Sequence, residues 1–167
     1  MLFDFLGFIT LTNAKQSSTY NDLSPNRAID GNTTSRSVTA WWLNNVEWFT
    51  VQLSQASVIV KIQLYLDEYA LRKGYYKRFK LETRMQKEDE WKTCKGEYDV
   101  IGPISPHEVV CDDAKTVAKY LRISVSGRMK PLYLGEVKVM GTRDEGQRVK
   151  VLGKPGEQLN IQNKSRE

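Results

Sequence analysis

Hydrophobic and polar residues alternate along several short segments of the chain. In VIVKIQLYL, residues 58–66, the alternation places Val58, Val60, Ile62, Leu64 and Leu66 on one side. The same period of two runs through WFTVQL (48–53), RFKLETRM (78–85) and YLRISV (120–125). A period of two is typical of a β-strand that has one face in a core. No segment has the spacing of a long amphipathic helix, so we predict a chain built from short strands.

Clusters of Gly, Pro, Asn and Asp separate these segments. Many short strands with turn residues between them favour an antiparallel sandwich or jelly roll over a sheet of alternating strands and helices. From Gly141 onward the alternation is lost, and the sequence becomes charged and polar. We therefore predict an all-β domain over residues 8–141 and a loose polar tail over residues 142–167, in which VKVL is a candidate edge strand.

The opening segment MLFDFLGFITLTNA has two interpretations. It is apolar and ends in a small residue, as a remnant of a signal sequence would, but it lacks a basic start and Asp4 interrupts it. Alternatively, its second half is the first strand. No apolar run reaches the roughly 20 residues that a membrane helix needs, so we expect no transmembrane segment.

Composition limits the partners and the compartment. The chain has 167 residues, enough for one domain with its own core, and a net charge of +5. This modest excess favours acidic partners and is also common in proteins for which it serves only solubility. Cys94 and Cys111 end the strand-like runs WKTC and HEVVC. A short antiparallel pair would bring them together, and a disulfide of this loop length stabilises by about 3 kcal/mol. Such a bond indicates a compartment outside the cytosol, whereas two free thiols would fit a cytosolic protein.

The sequence offers little to catalysis. His107 is the only histidine, and it stands in PISPHEVV without a local signature of a nucleophile and base. Metalloprotease, phosphate-loop and zinc-ligand patterns are absent from the sequence. The neighbouring acids Asp67 with Glu68, and Asp112 with Asp113, are adjacent in sequence and would point apart on a strand. We predict that the chain is not an enzyme.

The polar stretch SSTYNDLSPNRAIDGNTTS concentrates Asn26, Asp30 and Asn32 around Gly31. A tight loop of this composition turns carbonyl and carboxylate oxygens inward, and such oxygens are the ligands of calcium. An ordinary Asx turn explains the same residues more simply. The EF-hand spacing is absent, so composition alone leaves both interpretations open.

Four stretches, taken in order, resemble the F-type lectin family, which is related to the discoidin domains of coagulation factors. They are AKQSSTYNDLSPNRAIDGNTTS, EWFTVQLSQASVIVKIQLYL, the pair WKTC with HEVVC, and AKYLRISVSGRMKPLYLGEVKVMG. The resemblance covers about residues 8–141. It implies a discoidin-like, eight-stranded antiparallel β-jelly-roll sandwich that is secreted, binds fucosylated glycans and holds one structural calcium ion (Ca²⁺).

The resemblance also implies the calcium ligands. A serine that is Ser35 or Ser37, with Ser37 preferred, would join five other residues. These are the carbonyls of Arg27, Asn32 and Gly135 and the side chains of Asp30 and Glu136. Independently, Leu134 and Val137 are out of step by one residue, which predicts a bulge between Gly135 and Glu136.

The family's sugar site is incomplete here. The family uses a histidine, an arginine-x-aspartate and a second arginine four residues later. By spacing, Asp67 and Arg72 take the last two positions, while Tyr65 and Val38 replace the arginine and the histidine. By strand register, the two arginine positions fall on Asp67 and Gly74, so neither alignment restores the set.

The loop EYALRKGYYKRFK supplies aromatic and basic side chains instead. We predict ligand binding by Asp67, Tyr69, Arg72, Tyr75 and Arg78. The expected function is a calcium-stabilised glycan-binding module with altered or lost fucose specificity. The alternative is an adhesion module whose basic loops bind anionic glycans or phospholipid. We expect no nucleic-acid partner, and the oligomeric state stays open. In TAWWLNN, one of Trp41 and Trp42 is predicted to cover the core and the other to form a loop-tip contact.

Overall fold

One long strand organises the fold, and every other strand is placed by its relation to it. The computed structural model describes residues 6–143. The strands in this range are β1 (Gly7–Ile9), β2 (Leu11–Gln16), β3 (Ser37–Val38), β4 (Val46–Tyr65), β5 (Phe79–Arg84), β6 (Lys92–Tyr98), β7 (His107–Val109), β8 (Val117–Ser126), β9 (Tyr133–Leu134) and β10 (Glu136–Arg143). A 3-10 turn spans Pro25–Ala28, and one short helix, α1, spans Glu68–Arg72.

Strand β4 belongs to both sheets of a sandwich. Its first half pairs with β2 and β8, and β5 and β6 extend that sheet beyond β8. Its second half pairs with β10 and β7, and β1 lies beyond β10. All these pairings are antiparallel and connect eight strands, while β3 and β9 form a separate two-stranded ladder. The predicted all-β, eight-stranded antiparallel architecture is therefore confirmed.

The alternating segments supply the core between the sheets. Phe49, Val51 and Leu53 of β4 are at most 1% exposed. The inward residues of β5 and β8 are buried in the same way, as their period of two predicts. The outward residues of these strands, discussed below, are polar or aromatic.

The alternation predicted for residues 58–66 is wrong at its start. Val60 is 40% exposed, whereas Ile59 is 3% exposed. The register against β10 shifts between Met140 and Gly141, so Val60 is the extra residue of a β-bulge and its side chain turns to solvent. Gly141 lies against the carbonyl oxygen of Val58, where a Cβ atom would clash.

Both ends of the predicted domain lie within the described residues. Strands β1 and β2 occupy residues 7–16, as the first-strand interpretation of the opening segment predicts. Strand β10 continues to Arg143, two residues beyond the predicted end of the domain. The remainder of the predicted tail, including VKVL, lies outside the described residues. No helix in residues 6–143 is long and apolar enough to cross a membrane.

A disulfide joins Cys94 to Cys111, with an Sγ–Sγ distance of 2.08 Å. Cys94 lies on β6, whose strand partner within residues 6–143 is β5, and Cys111 follows β7, whose strand partner in that range is β4. The strand pair expected between the two cysteine segments is not formed. The disulfide instead connects the edge of one sheet to the edge of the other.

Candidate functional site

Oxygen atoms converge on the hydroxyl of Ser35 in the loop that follows the 3-10 turn. The Ser35 Oγ atom lies 2.9 Å from the Arg27 carbonyl, 2.8 Å from an Asp30 carboxylate oxygen and 3.0 Å from the Asn32 carbonyl. A hydroxyl has one proton, so it donates to only one of these acceptors at a time. The loop therefore presents more oxygen lone pairs than its own hydrogens satisfy.

Glu136 reaches this loop from the start of β10. Both carboxylate oxygens of Glu136 lie 3.2 Å from the N–H of Gly31, and the residue is only 4% exposed. Burial raises the pKa of Glu136 to about 6, and the neighbouring charge of Asp30 acts in the same direction. A cation beside these two carboxylates would favour the ionised form of both.

Gly135 is the point at which β9 ends and β10 begins. Its N–H donates to the Tyr65 carbonyl at 2.7 Å. A Cβ atom at Gly135 would lie 2.9 Å from that oxygen and 3.1 Å from the Thr33 carbonyl, so the loop backbone occupies the space of a side chain. The predicted bulge is a complete break between two strands here, because the chain leaves the β3–β9 ladder and joins β4.

The serine in this oxygen cluster is Ser35. Ser37 lies on β3, opposite Leu134, and is 2% exposed. Of the two candidate serines, Ser35 places its hydroxyl beside the Arg27 carbonyl, and the preferred candidate, Ser37, lies in the β3–β9 ladder. Within residues 6–143, no three His, Cys, Asp or Glu side chains converge on one metal position. The donor set fits calcium, which accepts main-chain carbonyls and hydroxyls beside two carboxylates.

A second cluster lies around the start of α1. Asp67 caps the helix, because its Oδ1 accepts the N–H of Ala70 at 3.0 Å. Its Oδ2 accepts from the guanidinium of Arg36 at 2.6 Å. Sequence reasoning selected Asp67 but missed Arg36, which comes from the segment just before β3. No signal within that segment identifies it.

Three tyrosine rings lie beside this ion pair. Tyr75 and Tyr133 are stacked with centroids 6.0 Å apart, and Tyr69 packs edge to face against Tyr75 at 6.3 Å and tilted against Tyr133 at 6.5 Å. Tyr69 is 47% exposed. Burial raises the pKa of Tyr75 and of Tyr133, so these rings stay neutral and present hydroxyl groups. Tyr133 was not predicted, since it belongs to β9, far along the chain. We call Arg36, Asp67, Tyr69, Tyr75 and Tyr133 the tyrosine site.

Tyr76 holds the tyrosine site together from below. Its hydroxyl accepts the N–H of Asp67 and donates to the Tyr133 carbonyl, both at 2.8 Å. The side chain is 1% exposed, and burial raises its pKa well above the usual range. Tyr76 thus joins the beginning of α1 to β9.

The predicted cations of this loop have different positions. Arg72 is exposed in the last turn of α1, and the ammonium of Lys73 lies 5.6 Å from the centre of the Tyr69 ring. Arg78 instead forms an ion pair with Glu97 at 3.0 Å. The structure therefore brings Asp67, Tyr69 and Tyr75 together with Arg72 nearby on the same helix, whereas Arg78 is engaged by another strand.

The two adjacent tryptophans form a separate loop tip. Trp41 and Trp42 pack edge to face at 4.7 Å, and Tyr20 packs against Trp41 at 5.2 Å. Trp42 is 57% exposed, and its neighbour Leu43 is 61% exposed. Met129, from the loop after β8, is 58% exposed and lines the same concavity. Trp42 thus forms the loop tip, while Trp41 is half-buried behind it.

His107 has a structural environment. Its ring stacks on Tyr98, and its Nε2 atom lies 2.8 Å from the Tyr98 hydroxyl. Burial lowers the pKa of His107, so the ring is neutral near pH 7. The hydroxyl beside its Nε2 atom thus belongs to a phenol that burial keeps protonated rather than to an activated nucleophile.

Known proteins share this architecture. The model of the F5/8 type C domain matches residues 13–146. The lectin domain of lectinolysin, complexed with Lewis B antigen, is 22% identical with a TM-score of 0.65, over 79% of this chain and 92% of that one. A Streptococcus pneumoniae fucose binding module is 21% identical with a TM-score of 0.67, over 86% and 100%.

A third solved structure is the family 32 CBM of C. perfringens NanJ in complex with galactose. It is 17% identical with a TM-score of 0.64, over 81% of this chain and 99% of that one. At these identities the likeness establishes the fold. A comparison with curated proteins found no significant sequence match.

Proposed function

Because the chain belongs to the F5/8 type C domain family, we propose that it is a calcium-stabilised module that binds glycans at the tyrosine site. The observation that carries this proposal is the grouping of three tyrosine rings beside the Arg36–Asp67 pair. Similar structures include a fucose binding module and a family 32 CBM in complex with galactose. The disulfide supports an extracellular location, since such bonds persist mainly outside the cytosol.

Each part of the tyrosine site has a role in this proposal. The exposed ring of Tyr69 offers an apolar face against which a pyranose ring packs. Asp67 accepts hydrogen bonds from sugar hydroxyls, and the guanidinium of Arg36 donates to sugar oxygens. Polar groups of this kind fix the orientation of a ligand in a mostly apolar site.

The proposed ligand is a neutral oligosaccharide that ends in fucose or a related sugar. Selectivity for fucose is expected to be altered, because Val38 stands where the related lectins have a histidine. A site that lacks one of its hydrogen-bonding groups discriminates less among hydroxyl patterns. Arg36, which sequence reasoning did not select, is proposed to supply the missing donors from a different segment.

Calcium is proposed to hold the Ser35 loop against β10. The ligands would be the side chains of Asp30, Ser35 and Glu136 and the carbonyls of Arg27, Asn32 and Gly135. Gly135 fits this role because the loop backbone leaves no room for a side chain there. The ion would neutralise two adjacent carboxylates and so stabilise the loop.

A glycan array in the presence of calcium, followed by calorimetry on the best ligand, tests the proposal. Tyr69→Ala should weaken binding on the order of tenfold, since an aromatic contact contributes roughly 0.5–1.5 kcal/mol beyond its area. Trp42→Ala is the matched control, because it removes a similarly exposed ring elsewhere and should leave affinity unchanged. Equal losses in both variants, or no glycan bound, would refute the proposal.

A second candidate function is adhesion to an anionic phospholipid surface. The observation in its favour is the exposed apolar tip formed by Trp42, Leu43 and Met129, with Arg128 beside it. Apolar side chains at a loop tip insert into a membrane interface, while a cation attracts acidic headgroups. Binding to phosphatidylserine vesicles that disappears with Trp42→Ala and persists with Tyr69→Ala would select this function over the first.

A further inference from the structure

The outward face of the first sheet carries a second cluster of aromatic and basic side chains. Strand register places Arg84 of β5 opposite Tyr120 of β8, and Tyr120 opposite Gln52 of β4. Two residues along these strands, a second row crosses the sheet in the same way. It consists of Glu82 on β5, Arg122 on β8, Thr50 on β4 and Lys15 on β2. Long polar and aromatic side chains therefore stand side by side across four strands.

Trp91, which precedes β6, covers this face. The guanidinium carbon of Arg84 lies 4.2 Å from the centre of the Trp91 ring, and that of Arg122 lies 4.6 Å from it. Arg84 also lies 5.5 Å from the Tyr120 ring. Two guanidinium groups on one indole form a rigid cationic surface, because stacking holds each planar group in one orientation.

Arg122 and Arg84 differ in whether a carboxylate of the protein already neutralises the guanidinium group. Arg122 donates to Glu82 at 2.6 and 2.8 Å, and Glu82 also accepts from Lys80. Among residues 6–143, Arg84 has no carboxylate partner, although its Nη1 atom donates to the main-chain carbonyl of Asp89 at 3.4 Å. Its Nε atom is buried without a hydrogen-bond acceptor. A buried donor without a protein acceptor is rare in folded proteins, so no protein group offsets the positive charge at this end of the guanidinium.

A groove of about 320 Å³ lies between these side chains. We call it the Trp91 groove. Its cations are Lys15, Arg84 and Lys87, and its aromatic walls are Trp91 and Tyr120. Neither lysine has a carboxylate partner within the described part of the chain. An amide pair, Asn13 with Gln52 at 2.8 Å, also lines the groove. The volume is that of a small-ligand site.

We propose that the Trp91 groove binds an acidic saccharide, a sugar unit that carries a carboxylate or a sulfate. The planar fork of Arg84 matches such an anion, and the lysines add charge at the rim. Trp91 and Tyr120 provide faces for the pyranose ring, and the amide pair offers donors and acceptors to hydroxyls. A bilayer fits less well, since the large exposed apolar side chains of residues 6–143 lie outside the groove.

This proposal is independent of the tyrosine site, and calorimetry at low salt tests it. The probes are a heparin hexasaccharide, a hyaluronan hexasaccharide and neutral chitohexaose. Binding of either acidic probe with no binding of chitohexaose is expected. Arg84→Gln should lower the affinity for the acidic probe at least about tenfold. Arg84→Lys should also lower it, because the lysine ammonium lacks the planar fork of the guanidinium. Lys87→Gln should lower the affinity for the acidic probe several-fold without disturbing the sheet, because Lys87 is exposed.

Arg72→Gln is the matched control, because it removes the same charge from an exposed position outside the groove. It should change affinity for the acidic probe less than twofold. If Arg72→Gln lost as much affinity as Arg84→Gln, binding would depend only on the overall charge of the protein, and the proposal would be overturned. Absence of binding by the unaltered protein, equal binding of chitohexaose, or tighter binding of single-stranded DNA than of either acidic probe would also overturn it. Tyr69→Ala should leave binding of the acidic probe unchanged, so a failure of the proposal for the Trp91 groove can be distinguished from a failure of the proposal for the tyrosine site.

Discussion

At the scale of single residues, Glu136 couples protonation to the proposed calcium ion. Its pKa of about 6 lies above that of a free glutamate, so the metal-free fold holds a proton that the unfolded chain releases. Stability of the metal-free protein due to this residue is therefore present at low pH and is lost as pH rises through about 4.5 to 6. A bound cation would reverse this preference, because it interacts only with the ionised carboxylate.

The first prediction follows from that competition. The rise in melting temperature on replacing chelator with calcium should be small at about pH 5 and several degrees at about pH 7.5, since saturating ligand at 100 times Kd adds about 2.7 kcal/mol. Asp30→Ala should abolish the calcium-dependent rise, and Glu136→Gln should remove its dependence on pH. Each variant is compared with the unaltered protein at each pH, so that the titration of other groups cancels. A melt that is identical with calcium and with chelator would exclude the calcium site.

Tyr76 gives the second prediction, again through one group. Tyr76→Phe retains the buried ring but removes the hydroxyl that serves Asp67 and Tyr133. Two main-chain groups lose a partner, so unfolding free energy should fall by about 1–3 kcal/mol. Glycan affinity should fall several-fold, because the tyrosine site loses its support. Tyr20→Phe is the control in urea unfolding and calorimetry, and an effect of the same size there would contradict this role.

At the scale of elements, the disulfide connects β6 and the end of β7, which are edges of different sheets. It restricts the unfolded chain and also prevents the two sheets from separating at that edge. Reduction should therefore lower the unfolding free energy by about 3 kcal/mol, the value expected for a loop of this length. Urea unfolding with and without reductant measures the change. The Cys94→Ala/Cys111→Ala double variant should not respond to reductant, and a response would assign the effect to another cause.

Elements with one buried face could be predicted from the sequence. The alternation of RFKLETRM and YLRISV gives β5 and β8 and their core residues, because a period of two has one solution when one face is buried. The alternation of VIVKIQLYL fails at Val60 because of a bulge. The bulge is set by the register of β4 against β10, where Met140 pairs with Lys61 and Gly141 with Ile59, and β10 is distant from this segment in the sequence. Bulges are set between strands, and a single segment does not record them.

The candidate sites show the same division. The Asp30 loop could be identified because its residues are contiguous, although the choice between Ser35 and Ser37 needed the path of the loop. The tyrosine site could be predicted only in part, because Arg36 and Tyr133 join it from distant segments. Their side chains have no distinguishing pattern in the sequence. Contacts between remote segments are fixed by the fold, so motif spacing alone does not identify them.

At the scale of the whole molecule, two proposed saccharide sites differ in the charge that they use. The tyrosine site combines aromatic rings with an arginine already paired to Asp67. The Trp91 groove has three cations without carboxylate partners in residues 6–143, on a chain of net charge +5. Salt screens interactions between exposed charges, whereas packing of a sugar on an aromatic ring is little affected. The two ligands should therefore respond differently to ionic strength.

The last prediction measures that difference in one protein sample. Between about 50 and about 500 mM sodium chloride, the Kd of a neutral glycan should change less than twofold, while that of the heparin hexasaccharide should rise more than tenfold, since the Debye length falls to a few ångströms. Saturation with the neutral glycan should not displace the heparin hexasaccharide, because the two sites use different side chains. Parallel loss of both affinities with salt, or competition between the two ligands, would mean that one charged surface binds both.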